Sequence, residues 1–426
     1  MRGKTVFRIL LFAALSCCAV AQSWAAEAPL EIREAIRLML EDNLTLKSLS
    51  QDVKKAEAFK LQADGTMTPE VGLNASTTEE SSSTGSNQAQ LSLTQTLYSG
   101  GRNQAMRRQS SQVRSIADLA LTDAQNGATG DLFARFYNVL LQERRVETDR
   151  SATATLELHL REVTRMSELG LSNRLEVIRA SQQLATNKAN LVTAEGLYDS
   201  AVISLMNYMA IPPEERRPVA GNLRVLAVSG DREQSLAAAM GNRADVGMLE
   251  NQIEYQANQI EIERSGYRPK ITLGGTASFL DRDKGGTYDD TWRAELSLTV
   301  PILDRNAARG NVIRAEATAA QNKIALEQKK LDIKSGVETA WAELETAAEH
   351  LEASERAMEL AEETLRLAEA GYKEGVTPQL DLLSAQTSLT ESRLEHLRSL
   401  YNHMLAVVAL KVTEGNIIDW AEEMEF

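Results

Sequence analysis

The chain has almost none of the residue types on which most site chemistry depends. Only two of its 426 residues are cysteines, and both, Cys17 and Cys18, lie close to the start. A disulfide framework, a thiolate zinc site and a cysteine nucleophile are therefore excluded from the rest of the chain. The four histidines are scattered, which argues against a histidine-based metal centre. We predict no metal ion and no cofactor.

Positive charge is also in deficit. Lysine and arginine total 46 against 60 aspartates and glutamates, which gives a net charge of −14. A nucleic-acid partner is excluded on this ground, because binding to phosphates needs a basic surface. The acids are spread along predicted helical faces as solvated charge and do not converge with histidine or serine as the groups of an active site do. The sequence therefore predicts that the chain is not an enzyme.

Residues 1–25 have the pattern of a secretory signal peptide. Arg2, Lys4 and Arg8 give a positive start, residues 6–15 form a short apolar run, and residues 23–25 end in the small-residue pattern of a cleavage site. The apolar run is much shorter than the roughly 20 residues that a membrane-spanning helix needs. Residues 14–17 weakly resemble the lipobox of a lipoprotein, so both kinds of signal stay open. Either kind predicts export from the cytoplasm.

The remainder of the chain is an internal duplication. Residues 91–94 (LSLT) recur 205 positions later as residues 296–299. The same shift relates pairs of residues over more than a hundred positions: Phe136 and Trp341, Gly170 and Gly375, Glu176 and Asp381, Leu205 and Leu410. Nearer the start of each copy the shift is 200. We therefore predict a first structural repeat over residues 26–211, an equatorial linker over 212–231 and a second repeat over 232–426. Each repeat is expected to contain a helix, two β-strands and a long helical hairpin.

Proline is scarce, and its positions leave long tracts in which helices can run. None of the 8 prolines lies between Pro69 and Pro212, and only Pro378 follows Pro301. Because proline costs about 3 kcal/mol inside a helix, these tracts predict long helices, the first over residues 101–168. At about 1.5 Å per residue that helix approaches 100 Å in length, so it must pack sideways on others.

The last tract indicates how such helices pack. Its apolar and small residues follow the 3-and-4 spacing of a coiled-coil seam: Leu380, Leu383, Thr387, Thr390, Leu394, Leu397, Tyr401, Met404 and Val408. This pattern predicts long antiparallel helical hairpins. Phe136 and Trp341, which the duplication makes equivalent, are predicted to be core anchors.

A short turn is expected at the tip of each hairpin. Gly170 in the first copy and Gly375 in the second supply the left-handed end of a helix. Ser172 or Thr377 is expected to cap the helix that follows, and Pro378 suits the first helical position.

Two short segments before each long hairpin alternate between apolar and polar residues, which is typical of β-strands. In the first copy the apolar positions are Val71, Leu73 and Ala75, then Leu91, Leu93 and Leu97. In the second copy they are Ile271, Leu273, Gly275, Ala277 and Phe279, then Trp292, Ala294, Leu296, Leu298 and Val300. Residues 77–88 and 281–290 are polar and rich in small residues, so we predict exposed hairpin loops there.

Segments of about 9–11 residues with one apolar face match transmembrane β-strands. On alternation alone, a half-buried sheet in a soluble domain is the alternative. Export, and the lack of any segment free to cover the apolar face, favour lipid, in which every sheet edge must be paired. Four strands cannot close a barrel, so copies of the chain must share one. Two chains would give eight strands, and three would give twelve with room for a water-filled lumen.

Together these features resemble the TolC family of outer-membrane efflux proteins over essentially the whole mature chain. The resemblance is carried by residues 91–101 (LSLTQTLYSGG), 296–304 (LSLTVPILD), 370–375 (AGYKEG) and 380–385 (LDLLSA). It implies a mainly α fold with a small transmembrane β part. Four strands per chain would complete a twelve-stranded β-barrel in a homotrimer, the helical hairpins would form a periplasmic α-barrel, and the linker would lie at its equator.

The resemblance also implies a function. The trimer would be the exit duct of a tripartite efflux pump or of a type I secretion system, in the outer membrane of a Gram-negative cell. Its partners would be a periplasmic adaptor (membrane fusion) protein, an inner-membrane transporter and outer-membrane lipid. A soluble periplasmic coiled-coil adaptor or scaffold is the alternative. The cargo stays open among drugs, metal ions and secreted polypeptides.

Candidate gate residues follow from the same resemblance. Asp381 matches an aspartate that lines the constriction at the periplasmic tip, and Ser384 stands where one family member has a second acidic ring. Tyr372 and Glu176 match a tyrosine and an aspartate that hold neighbouring coils closed, and Thr377 replaces an arginine of that latch. Without the resemblance, Asp381 would be an ordinary acid at a helix N-terminus. The expected adaptor contacts are the tip residues Gly170, Leu171, Ser172, Gly375, Val376 and Thr377.

Overall fold

The computed structural model describes residues 29–80, 83–228, 230–282 and 287–423. The predicted signal peptide over residues 1–25, and the lipobox within it, lie outside the described residues. In the described part of the chain, no helix has a stretch that is both long and apolar enough to cross a membrane.

The order helix, helix, strand, strand, helix, helix occurs twice. The first set is α1 (Ile32–Asp42), α2 (Leu44–Gly65), β1 (Glu70–Glu80), β2 (Ser83–Tyr98), α3 (Arg102–Glu168) and α4 (Arg174–Tyr208). The second set is α5 (Arg232–Asn242), α6 (Ala244–Arg264), β3 (Lys270–Arg282), β4 (Thr287–Thr299), α7 (Ala307–Lys373) and α8 (Gln379–Glu414), followed by a short α9 (Ile417–Glu423). Single 3₁₀ turns lie at Pro213–Glu215 and Ser265–Tyr267.

The element boundaries confirm the duplication. The starts of α5, α6 and β3 lie 200 residues after those of α1, α2 and β1. The starts of α7 and α8 lie 205 residues after those of α3 and α4. Both shifts agree with the sequence comparison. The bounds proposed for the two repeats and the linker stay a prediction.

The two longest helices, α3 and α7, have 67 residues each. The helix predicted over residues 101–168 is confirmed, and at about 1.5 Å per residue it is roughly 100 Å long. At its end the Leu171 N–H donates to the Met166 carbonyl at 2.8 Å, in a Schellman-type turn. Gly170 and Gly375 have φ values of 74° and 76°, so both are the predicted left-handed helix ends.

The caps of the returning helices differ from the prediction. Asn173 caps α4, because its Oδ1 accepts a hydrogen bond from the Glu176 N–H at 3.0 Å, and Ser172 does not serve as the cap. On α8, Pro378 precedes the first helical residue by one position. Its ψ of 149° is extended and cannot belong to a helix. Thr377 does not cap α8 either, since no side-chain cap bond is made at that end.

The helices pack as a layer four helices wide at each level. Near the strands the order is α2, α3, α6, α7, and toward the tips it is α4, α3, α8, α7. The largest core lies where the level near the strands meets the level toward the tips, around Phe133, Phe136, Met404 and Leu410. Phe136 is fully buried, and Trp341 packs against this core half-buried, so both behave as the predicted anchors.

The coiled-coil seam of α8 is confirmed along most of its length. From Leu383 to Val408 the predicted positions are buried or half-buried. The prediction is wrong for Leu380, because its side chain is exposed. The buried residues of the first turn are instead Gln379 and Leu382. The buried face shifts at this end because Gln379 contacts His159 and Glu176 of the other hairpin.

The four strands form one antiparallel sheet in the order β1-β2-β3-β4. Pairing brings the apolar positions onto one face, as predicted: Leu73 lies opposite Leu91, Leu91 opposite Ala277, and Ala277 opposite Trp292. This face is open in the single chain, with Leu73 71% and Trp292 82% exposed. Within the described residues, the outer edges of β1 and β4 have no partner strand.

The prediction of exposed loops over residues 77–88 and 281–290 is wrong. The strands continue through most of both segments, so β1 ends only at Glu80 and β2 starts at Ser83. Polar side chains indicated loops, but they do not interrupt a strand whose backbone groups remain paired to a neighbour.

The two strand-to-helix junctions share one backbone conformation although their residues differ. Gly100 and Gly101 have φ values of 66° and 93°, and at the equivalent positions Arg305 and Asn306 have 58° and 63°. A non-glycine residue in this left-handed region costs about 1–2 kcal/mol. The Asp304 carboxylate offsets part of that cost, because it accepts hydrogen bonds from the Asn306 N–H at 3.0 Å and from a first-turn N–H of α7 at 2.7 Å.

A partly buried ion network joins α6 to its neighbours. The Asp245 carboxylate lies 2.5 Å from the Arg243 guanidinium and 3.1 Å from the Lys329 ammonium of α7. Arg243 also donates to the Thr413 carbonyl of α8 at 3.4 Å. Burial alone would raise the pKa of Asp245, but the hydrogen bonds from Arg243 and Lys329 outweigh burial and lower the pKa to about 2.

We predict that Gly100→Ala destabilises the protein more than Gly170→Ala does. Both glycines have positive φ, so alanine is strained at either position by about 1–2 kcal/mol. Only at Gly100 would the new methyl also lie 2.7 Å from Arg268 Cβ and 3.1 Å from the Ser265 carbonyl. At Gly170 no described residue beyond its chain neighbours lies within 4 Å of the new methyl. The crowding should add about 1–3 kcal/mol, measured by urea unfolding in detergent. Equal losses would contradict this account of the junction.

Asp245→Asn should lower the free energy of unfolding by about 2 kcal/mol at neutral pH. The folded-state pKa lies below its ordinary value of 3.8, so this stabilisation is complete above that value and is lost as pH falls through about 2. The difference between parent and variant should therefore shrink between about pH 5 and about pH 3. Glu233→Gln, which removes an exposed carboxylate on α5, is the control. A difference that stays constant with pH would exclude the carboxylate as its origin.

Candidate functional site

The candidate site is the end of the helical layer, where two turns lie between the long helices. We call residues 169–173 the first tip and residues 374–378 the second tip. The predicted adaptor contacts all lie in these turns: Gly170, Leu171, Gly375 and Val376 are exposed, and Ser172 and Thr377 are half-buried. The large apolar side chains of Leu171 and Val376 therefore project from the end of the protein.

Asp381 and Ser384 lie on the open face of α8. Both are exposed and stand about one turn apart, while Leu382, Leu383 and Ala385 are buried against the other helices. The Asp381 carboxylate makes no hydrogen bond or ion pair with the described residues of its own chain. Its charge is therefore directed away from the packed side of the layer.

The Glu176 carboxylate is held by its own turn. It accepts hydrogen bonds from Ser172 Oγ at 2.6 Å and from the Asn173 side-chain amide at 3.3 Å. No hydrogen bond joins it to Tyr372 among the described residues. The Tyr372 ring instead packs edge-on against His159, with ring centroids 5.8 Å apart. Burial raises the pKa of Tyr372, and the nearby carboxylates, that of Glu176 first, raise it further.

Thr377 packs inside the second tip. Its N–H donates to the Gly371 carbonyl at 3.1 Å, and its side chain fills the space that a β-carbon on Gly371 would occupy. Thr377 therefore packs within the turn of its own hairpin. It does not extend across to the first tip as a longer basic side chain would.

Sequence reasoning missed the two most buried polar residues of the site. Gln379 and His159 are both buried, and the Gln379 amide nitrogen lies 3.2 Å from His159 Nε2. His159 stands at 3-and-4 spacing between the buried residues Leu156 and Val163, so the apolar stripe of α3 could have revealed it. No comparable signal marks Gln379, because the predicted seam passed through Leu380.

The structure thus brings together three of the site residues and separates two. Glu176 and Tyr372 surround His159 between the two hairpins, and Thr377 closes the adjacent turn. Asp381 and Ser384 lie apart from this cluster on the exposed face of α8.

Comparison with known proteins covers nearly the whole described chain. The family model "Outer membrane efflux protein" matches twice, at residues 35–210 and 236–416, one match in each copy of the duplication. The chain is 22% identical over 423 residues to the outer membrane protein TolC of Escherichia coli. The aligned region covers 92% of this chain and 83% of TolC. It is also 22% identical over 391 residues to the cobalt-zinc-cadmium resistance protein CzcC of Cupriavidus metallidurans, covering 87% of each.

Solved structures confirm the architecture. The structure of CusC superposes on this chain with a TM-score of 0.78 at 18% identity. The match covers 91% of this chain and 92% of the CusC chain. The open-state MtrE outer membrane channel of Neisseria gonorrhoeae matches with a TM-score of 0.77 at 20% identity. This match covers 91% of this chain and 89% of the MtrE chain. At these identities the likeness concerns the fold.

The predicted fold class and the resemblance stated from the sequence are confirmed by these matches. The family consists of transport channels, so the prediction that the chain is not an enzyme is confirmed, and so is an outer-membrane location with the helical part in the periplasm. With the family model matching well over half of its residues, this chain belongs to the outer membrane efflux protein family.

Proposed function

We propose that three copies of the chain form one channel, which is the outer-membrane exit duct of a tripartite efflux pump. The observation that carries this proposal is an exposed apolar sheet face whose outer strands, β1 and β4, have no partner in the described chain. In lipid each unsatisfied backbone N–H or C=O costs several kcal/mol, so both edges must meet another chain. A soluble adaptor or scaffold would leave that face in water without a purpose.

Three copies account for the sheet better than two. Eight strands would form a barrel whose interior is filled by side chains, whereas twelve leave an open lumen. The face opposite the apolar one carries groups that need water, such as Arg293 opposite Thr276 and Glu295 two residues further along β4. The chain also has four strands and four helices at successive levels, so one threefold axis can close both the barrel and the helical tunnel.

The tips are the proposed gate and the proposed contact with the periplasmic adaptor. Threefold symmetry would bring three Asp381 carboxylates together and concentrate negative potential in a narrow mouth, which favours cations. Ser384, one turn away on the same face, adds no second ring of charge. Glu176, Tyr372 and Thr377 hold the tips in shape. The inner-membrane transporter supplies the energy, and adaptor contact with the tips biases the channel toward its open state.

A homotrimer predicts crosslinks between β1 of one chain and β4 of the next. The only native cysteines lie in the predicted signal peptide, so engineered pairs are unambiguous. Leu73→Cys with Leu296→Cys, on opposite edges of the sheet, should give species of two and three chains with a flexible bismaleimide in membrane vesicles. Leu91→Cys with Ala277→Cys, which lie opposite each other within one sheet, should stay at monomer mass. A ladder that stops at two chains would contradict the trimer.

Asp381→Asn should reduce the cation preference of the channel in planar bilayers by about twofold or more in permeability ratio. Ser384→Asp should increase that preference, because it adds a second carboxylate on the same exposed face. Glu355→Gln, which removes an exposed carboxylate of α7 away from the tips, is the matched control. Reversal potentials in a salt gradient measure the ratio. Unchanged selectivity in Asp381→Asn would remove this residue from the constriction.

A further inference from the structure

The tips contain a buried polar contact that the proposed gate does not use. Gln379, the first residue of α8, is 3% exposed. Its amide nitrogen lies 3.1 Å from the Glu176 carbonyl oxygen and 3.2 Å from Nε2 of His159. His159, on α3, is itself 6% exposed. One side-chain amide of the second hairpin thus contacts both helices of the first.

The Glu176 carbonyl fixes the orientation of this amide. A carbonyl oxygen only accepts, so the atom 3.1 Å away must be the amide nitrogen of Gln379, since the flipped amide would bring two acceptors together. The same nitrogen can only donate to His159. Nε2 therefore carries no proton, and the ring is neutral with its proton on Nδ1. The other amide atom, Gln379 Oε1, is buried and has no hydrogen-bond partner among the described residues.

Groups from all four tip helices surround the His159 ring. Tyr372 of α7 packs edge-on against it, and Gln379 of α8 donates to it. Its charged neighbours are the carboxylates of Glu162 on α3 and Glu176 on α4. Burial lowers the pKa of His159, and these two carboxylates offset only part of that effect. Burial therefore favours the same neutral ring that the amide contact requires.

We propose that Gln379 and neutral His159 are positioning residues that lock the two hairpin tips together in the closed channel, and that a proton on His159 Nε2 releases the lock. This inference rests on the proposed gate at the tips. The added N–H would face the N–H of Gln379 across 3.2 Å with no acceptor between them. Oε1 could accept the new proton only if the amide flipped, and that flip breaks the bond to the Glu176 carbonyl.

Acid should therefore open the channel. When the tips separate, His159 gains water, so its pKa in the open state approaches the ordinary 6.5 and exceeds that of the closed state. The closed state keeps its full stability above that value and loses stability as pH falls below it. Each His159 that is protonated only in the open state changes the opening equilibrium by up to about tenfold per pH unit, and a trimer has three.

Conductance of the purified full-length mature channel in planar bilayers, recorded at about pH 7.5 and about pH 5.5, tests the lock. The parent should show at least about a tenfold rise in open probability on acidification. His159→Gln keeps a hydrogen-bond acceptor but cannot titrate, so this rise should disappear and the channel should stay closed at both values. Gln379→Leu removes both hydrogen bonds and should leave the channel open at both.

His403→Gln is the matched control, because His403 is also 6% exposed and burial also lowers its pKa, but it lies in the large core far from the tips. It should keep the acid response of the parent. The lock is overturned if the parent does not respond to acid, if His159→Gln responds as the parent does, or if His403→Gln abolishes the response. Failure of the proposed function looks different, since the parent would then form no conducting channel at either pH.

Discussion

Backbone hydrogen bonds that a single chain cannot complete govern this architecture. The sheet pairs its four strands in chain order and leaves the outer edges of β1 and β4 open within the described residues. Water could satisfy the backbone N–H and C=O groups of those edges, but the apolar face of the same strands belongs in lipid. In lipid only another strand can pair with these groups. A barrel built from these strands would therefore need more than one chain, and in the proposed channel the helical part has to suit that association.

The helical part meets this requirement through repetition. Each copy of the duplication supplies two strands and one long hairpin, so the two junctions between sheet and helices must direct the chain in the same way. Gly100 and Gly101 reach the left-handed conformation without a side-chain penalty, and Arg305 and Asn306 reach it with help from Asp304. Equal backbone geometry from unequal residues indicates that the turn itself is constrained by the need to place both hairpins in one layer.

Periodicity in the sequence predicted the elements because it is a local property. The two longest helices, the apolar sheet face and the tip glycines follow from spacing and from proline and glycine positions alone. The errors lie where tertiary contacts decide. Polar segments that looked like loops remain strands because a neighbour pairs their backbone. Leu380 is exposed and Gln379 buried because the first turn of α8 packs on another hairpin. The stripe of α3 marks His159 as buried, but spacing cannot reveal which amide meets it.

The tips also show why buried polar contacts suit a gate. An apolar seam alone would hold the hairpins together at every pH, and a bridging arginine would keep its charge throughout the physiological range. Here Thr377 serves its own turn, and the contact between hairpins falls to Gln379 and His159. A buried amide that donates to a neutral imidazole ring makes a specific contact. The same contact becomes unstable once the ring is protonated. In the proposed gate, closure at the tips would depend on one proton per chain, which is a smaller change than repacking a core.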